Sequence, residues 1–158
     1  MIRLALFQPD QPPNVGTLLR LGACLGVPVD IIEPCGFAFS REAVRRAALD
    51  YFDHVDLTAH ADYCAFDAAR RQAGRRLVLL TSKGDTPYSE GLYTPLDTLV
   101  LGQEIAGAPP WLHDAASLRV RIPLKAPLRS LNVAVAAAMV LGEALRQTAA
   151  FPEIPELP

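Results

Sequence analysis

The chain has 158 residues, of which 51% are hydrophobic and 20% charged, with a formal net charge of −2. That composition excludes disorder, collagen and coiled coil, and the length fits one domain whose core needs no disulfide or metal staple. Taken over the whole chain, an isoelectric point near 5.9 argues against a nucleic-acid partner, while a mean hydropathy of +0.19 points to apolar surface buried in an oligomer.

Residues 2–7 read as a strand, closed by the rigid Gln-Pro-Asp-Gln-Pro-Pro loop. A helix is predicted over 14–25, with Pro13 before it and Gly26 ending it. Leu18, Leu21 and Leu25 share one face, and Arg20 lies on another. Residues 27–32 form a second strand, stopped at Glu33-Pro34. Ser40 caps a helix predicted to about residue 49, carrying Arg41, Arg45 and Arg46. A short strand over 55–57 and a helix over 62–73, closed by Gly74, follow. The unbroken apolar runs 77–81 and 99–101 mark strands covered on both faces. Residues 111–115 make a short helix and 118–124 an alternating strand interrupted at Pro123. Residues 130–147 make the long final helix, with Ser130 as its cap. Strands alternating with helices argue an α/β domain over 1–150, with a largely parallel sheet and helices on both faces. Residues 151–158 are a Pro-rich tail.

The final helix is apolar all round. From Leu131 to Gly142 only Asn132 is polar, so Asn132 is expected to be buried with partners of its own. One side of this helix can face the sheet, and the other needs cover. Its stripe Leu131, Val135, Ala138, Gly142 and Leu145, with small residues around it, predicts a two-fold homodimer. No apolar run is long enough for a membrane span. The start of the chain lacks a basic region, a long apolar stretch and a cleavage site, which reads as cytoplasmic. Cys24, Cys35 and Cys64 show no C-x-x-C spacing and read as small buried hydrophobes. His54, His60 and His113 fall in predicted surface loops, without metal-ligand spacing or a Ser-His-Asp set, so no metal site is expected.

Three polar, glycine-punctuated clusters interrupt the apolar elements. Pro12-Pro13-Asn14-Val15-Gly16-Thr17-Leu18-Leu19-Arg20 lies at a strand-to-helix junction. It reads equally as an anion site with Arg20 as a phosphate fork, or as an ordinary helix start with a solvated arginine. Leu101-Gly102-Gln103-Glu104-Ile105-Ala106-Gly107 follows a buried strand, where α/β folds place their ligands. It matches no nucleotide-binding fingerprint and by itself is also a plain turn. Ile122-Pro123-Leu124 through Arg129-Ser130-Leu131-Asn132 joins the last strand to the last helix, beside Arg119, Arg121 and Lys125.

Together these clusters resemble the SPOUT class of RNA ribose methyltransferases, in the small, TrmL or YibK-like branch that methylates the 2′-hydroxyl of the tRNA wobble nucleotide. The pieces that carry the resemblance are Pro-Pro-Asn-Val-Gly-Thr-Leu-Leu-Arg-Leu, Ile-Ile-Glu-Pro-Cys-Gly-Phe, Arg-Arg-Ala-Ala-Leu-Asp-Tyr, Leu-Thr-Ser-Lys-Gly, Leu-Gly-Gln-Glu-Ile-Ala-Gly, and Arg-Ile-Pro-Leu followed by Arg-Ser-Leu-Asn, in one order over residues 2–150. The chain departs from the family pattern at Leu101, Ala106, Ala134 and Gly142.

The resemblance implies a C-terminal trefoil knot, which no periodicity could have suggested. It implies S-adenosylmethionine as methyl donor, held by Leu80, Gly102, Glu104, Ile122, Ser130, Leu131 and Asn132, and a dimer built on the first and last helices. The family's motif arginine matches Arg20. A guanidinium hardly deprotonates, so we read Arg20 as a phosphate clamp and stabiliser of developing negative charge, with Asn14 orienting Arg20 or the ribose. RNA binding depends on local charge, and Arg41, Arg45, Arg46, Arg121, Lys125 and Arg129 supply the expected contact to a tRNA anticodon stem-loop. The competing expectations are 2′-O-methylation at another tRNA or rRNA site, and a non-catalytic knotted RNA-binding dimer.

Overall fold

The computed structural model describes residues 1–38, 42 and 49–153. The predicted basic helix residues Arg41, Arg45 and Arg46 lie outside the described residues. The elements in chain order are β1 (Arg3–Phe7), α1 (Pro12–Leu25), β2 (Val29–Ile32), a 3-10 turn (Leu49–His54), β3 (Leu57–His60), α2 (Tyr63–Gln72), β4 (Arg76–Leu80), β5 (Thr86–Pro87), β6 (Asp97–Leu101), α3 (Pro110–Ala115), β7 (Leu118–Arg121) and α4 (Val133–Gln147).

The seven strands form one sheet in the order β3-β2-β1-β6-β4-β7-β5, and every pair is parallel. β6 therefore sits between β1 and β4, with Leu4 opposite Leu99 and Val78 opposite Leu99 on its other side. Strands buried on both faces send alternate side chains into two cores. Leu4, Leu6, Val78, Leu99, Leu101 and Val120 meet α1 and α4 through Leu18, Leu19, Val140 and Leu141. Ala5, Phe7, Leu77, Leu79 and Val100 meet Phe66 of α2 and Leu112 of α3. Helices thus cover both faces, as predicted.

Local chemistry explains where the helices begin and end. Pro12 and Pro13 occupy the first turn of α1, where the missing N–H groups cost nothing, and Gly26 ends it in the left-handed region at φ 64°. Asp62 caps α2, accepting from Ala65 N at 2.8 Å.

The structure corrects four sequence readings. α4 starts at Val133, and its cap is Asn132, whose Oδ1 accepts from Ala134 N at 2.9 Å and Val135 N at 3.3 Å; Ser130 is not the cap. Asn132 is exposed, not buried. Cys24 and Cys64 are exposed and Cys35 is half-buried, because they fall on outer helix faces and a loop. His60 and His113 lie in β3 and α3, and the ring of His60 bonds Asp30 at 2.9 Å. Two strands also differ in extent: β7 ends at Arg121 before Pro123, and β3 runs later than expected, over Leu57–His60.

The face of α4 turned away from the sheet is apolar, with Val135 52% and Met139 37% exposed, beside Leu131 at 41%. Leu145, placed on that stripe by the sequence, is instead fully buried. No described helix is long and apolar enough to cross a membrane.

Candidate active site

A pocket of about 640 Å³ opens at the carboxyl ends of β4, β6 and β7. Its apolar walls are Leu80, Leu101, Ile122, Leu124 and Leu131, and its polar groups include Asn14, Glu104, Arg129, Ser130 and Asn132. All seven residues predicted to hold the cofactor line it. This is the place where open parallel sheets bind ligands, since the loops leaving adjacent strands diverge there.

The loop after β6 is shaped by close backbone approach. A Cβ on Gly102 would lie 2.7 Å from Ala108 N and 2.7 Å from Gly107 C, so no side chain is accommodated without moving the loop. Gln103 and Gly107 close the loop with reciprocal backbone hydrogen bonds of 3.1 and 3.0 Å, and Gly107 turns at φ 70°.

Three segments distant in sequence converge on one side of the pocket. Glu104 accepts from Asp10 N at 3.1 Å through Oε2 and from Asn14 Nδ2 at 3.2 Å through Oε1. Asn132 Nδ2 donates to Asn14 Oδ1 at 2.9 Å. Asp10 Oδ2 in turn accepts from Ile105 N at 3.3 Å. Asn14 is therefore held from two sides, by the loop after β6 and by the cap of α4. Burial, and then the neighbouring Asp10 carboxyl, push the Glu104 carboxyl above its usual range. The Asn14 and Asp10 hydrogen bonds identify Glu104 as the post that ties the first loop to the second.

Arg20 is exposed on α1 and does not line the pocket; its Nη2 donates to the Tyr51 hydroxyl at 3.1 Å. Of the predicted RNA contacts, Arg129 stands in the pocket wall, while Arg121 and Lys125 are exposed nearby in the chain. Arg119 pairs with Asp85. Sequence reasoning gave no site role to Asp10 or His113, and quoted Gln103 and Thr81-Ser82 only within longer motifs; all of them line the pocket or brace its loops. Their signal was position: each follows a strand end or faces one.

Residues 1–142 match the SpoU rRNA methylase family. The chain is 54% identical over 155 residues to the tRNA (cytidine(34)-2′-O)-methyltransferase of Beijerinckia indica, covering 98% of this chain and 97% of that protein. A solved structure that gives insights into 2-OH methylation of C/U34 on tRNA superposes with a TM-score of 0.86 at 37% identity, covering 93% of this chain and 95% of that one. The AdoMet-bound rRNA methyltransferase from Sinorhizobium meliloti superposes with a TM-score of 0.81 at 29% identity, covering 92% of this chain and 56% of that one. With that match over residues 1–142 and that identity over nearly its whole length, the chain belongs to the SpoU rRNA methylase family.

Proposed function

We propose that this protein transfers a methyl group from S-adenosylmethionine to the ribose 2′-hydroxyl of nucleotide 34 in tRNA. The observation that carries the proposal is the junction of Asn14, Glu104 and Asn132 at the wall of the pocket. It joins α1, which bears Arg20, to the two loops that would hold the cofactor. High identity to tRNA (cytidine(34)-2′-O)-methyltransferases over nearly the whole chain supports nucleotide 34 as the target.

The pocket fits the cofactor: its volume lies in the range of small-ligand sites, and its walls combine apolar side chains with backbone-rich glycine loops. Leu80, Gly102, Glu104, Ile122, Ser130, Leu131 and Asn132 would hold it, and when bound it supplies an electrophilic methyl on a charged sulfur. The chain's own part is orientation, which can contribute roughly 7–11 kcal/mol when both reactants are held in line. Asn14, fixed from two sides, presents a preset edge to the ribose. Arg20 grips the adjoining phosphate with its planar fork and stabilises negative charge as it develops on the 2′-oxygen. Its guanidinium keeps its protons, so the hydroxyl proton leaves to the phosphate or to solvent. Arg121, Lys125 and Arg129, with Arg41, Arg45 and Arg46, supply the charge that attracts the anticodon stem-loop.

The same reading includes a homodimer that covers Leu131, Val135 and Met139 of the α4 region, and a C-terminal segment threaded as a trefoil knot. Apolar side chains left exposed on a helix that already packs one face on the sheet favour the dimer. Light scattering at micromolar concentration should return twice the chain mass. For the activity, labelled S-adenosylmethionine and tRNA are incubated with the protein, and the ribonucleosides are then separated by mass spectrometry. Label on the 2′-oxygen of nucleotide 34 is expected. Label at another nucleotide reassigns the target, and no label in any RNA ends the proposal.

A further inference from the structure

Arg20 is exposed on α1, and a free arginine side chain samples many rotamers. Here it is not free. Its Nη2 donates to the Tyr51 hydroxyl at 3.1 Å, and its Cζ lies 4.4 Å from the centroid of the Tyr51 ring. The same tyrosine thus supplies a stacking face and a hydrogen-bond acceptor to one guanidinium.

Tyr51 can serve as a platform because its own backbone is anchored. It lies in the 3-10 turn Leu49–His54, and Phe52 and Val55 around it pack against the main core. α1 comes close to this region through Gly22, where a Cβ would lie 2.6 Å from Val29 Cγ2 and 3.5 Å from Val55 Cγ2. Tyr51 also ends the stretch that carries Arg41, Arg45 and Arg46. A phenol holds the guanidinium without neutralising it, whereas a carboxylate would compete with phosphate for the same fork. A guanidinium has five N–H donors, so one spent on Tyr51 leaves enough for a bidentate grip.

We propose that Tyr51 is a positioning residue that presents the Arg20 fork to the RNA phosphate. The inference rests on the reading of Arg20 as the clamp, and the test separates the two. Single-turnover methylation of tRNA is measured for wild type, Tyr51→Phe, Tyr51→Leu, Arg20→Ala and the Arg20→Ala/Tyr51→Leu double variant. Calorimetric titration with S-adenosylmethionine and thermal melts report on the fold. Tyr51→Phe keeps the ring and loses the hydroxyl, and its turnover should fall about fivefold; Tyr51→Leu loses both, with a fall of about thirtyfold. S-adenosylmethionine affinity should stay unchanged in both. In the Arg20→Ala background, Tyr51→Leu should cost nothing further, since a residue acting through another is silent once that other is gone. A loss that adds to that of Arg20→Ala overturns the proposal, because Tyr51 would then act independently. So does wild-type turnover in both Tyr51 variants while Arg20→Ala is impaired. Near-wild-type turnover in Arg20→Ala instead overturns the clamp itself. If Tyr51→Leu fails to fold, Tyr51→Phe alone, alone and in the Arg20→Ala background, decides by the same criteria.

Discussion

The two ends of the sheet use charge in opposite ways. At the amino end, Arg3 makes two bonds to Asp30 at 2.7 and 3.0 Å, and Arg76 makes two to Asp97 at 2.8 and 2.7 Å. Asp30 and Asp97 are 4% and 0% exposed, and His60, Thr94 and Arg75 complete the clusters. Both buried carboxylates there are paired with an arginine from a neighbouring strand. At the carboxyl end the polar groups are amides, backbone N–H groups and half-buried carboxyls on loops. A buried pair with satisfied geometry resists change, whereas a ligand site needs groups whose bonding is incomplete. The strands serve as the rigid body between an end that locks and an end that binds.

The largest expected effect comes from breaking the locked end. Asp97→Asn leaves the Arg76 guanidinium without its bidentate partner and Thr94 without one of its acceptors. We expect a loss of about 3 kcal/mol or more in urea unfolding, with S-adenosylmethionine affinity and methylation per folded molecule unchanged. A loss of affinity in the folded variant would show that the two ends are not independent. Next, Arg20→Lys replaces a planar fork by a point charge on α1. Turnover on tRNA should fall about 10²-fold, with the melting midpoint unchanged. A variant within twofold of wild type would remove Arg20 from the transition state.

Gly102→Ala probes the loop backbone. The added methyl meets Ala108 N and Gly107 C at 2.7 Å and forces the loop apart. Overpacking of this kind costs about 1–3 kcal/mol, so calorimetry should record S-adenosylmethionine binding weakened by about tenfold or more. The smallest effect concerns Glu104. Its carboxyl is raised in the folded state by burial and by Asp10, so the folded protein favours its protonated form more than the unfolded chain does. That contribution to stability is complete below the ordinary carboxylate range and is lost as pH rises through the raised folded value. Wild type should therefore gain stability relative to Glu104→Gln as pH is lowered through that window. Parallel melting curves at every pH would refute it.

Much of the fold was legible in the residues. The apolar runs of β4 and β6 and the Gly26 that ends α1 are local signals, and the structure keeps each of them. The seven pocket residues were legible through family resemblance, since no spacing rule links Leu80 to Asn132. Other features were decided at long range. Ser130 and Asn132 are both good caps by residue type; Asn132 caps α4, and its amide also reaches Asn14, 118 positions away. The two-residue strand β5 exists by pairing Thr86 with Val120 and Pro87 with Arg121, and a segment so short has no period to read.

The sequence by itself determined most of the helix and strand segments, that the sheet is largely parallel and covered on both faces, and which residue types stand at the strand ends. Those properties follow from backbone preference and from burial repeated every two or three to four residues. Only the tertiary structure decided that β6 lies between β1 and β4, that Glu104 meets Asn14, and that Tyr51 carries Arg20. Such pairings join positions 21 to 95 residues apart, and they depend on which surfaces fit together once the elements exist, which no local pattern records.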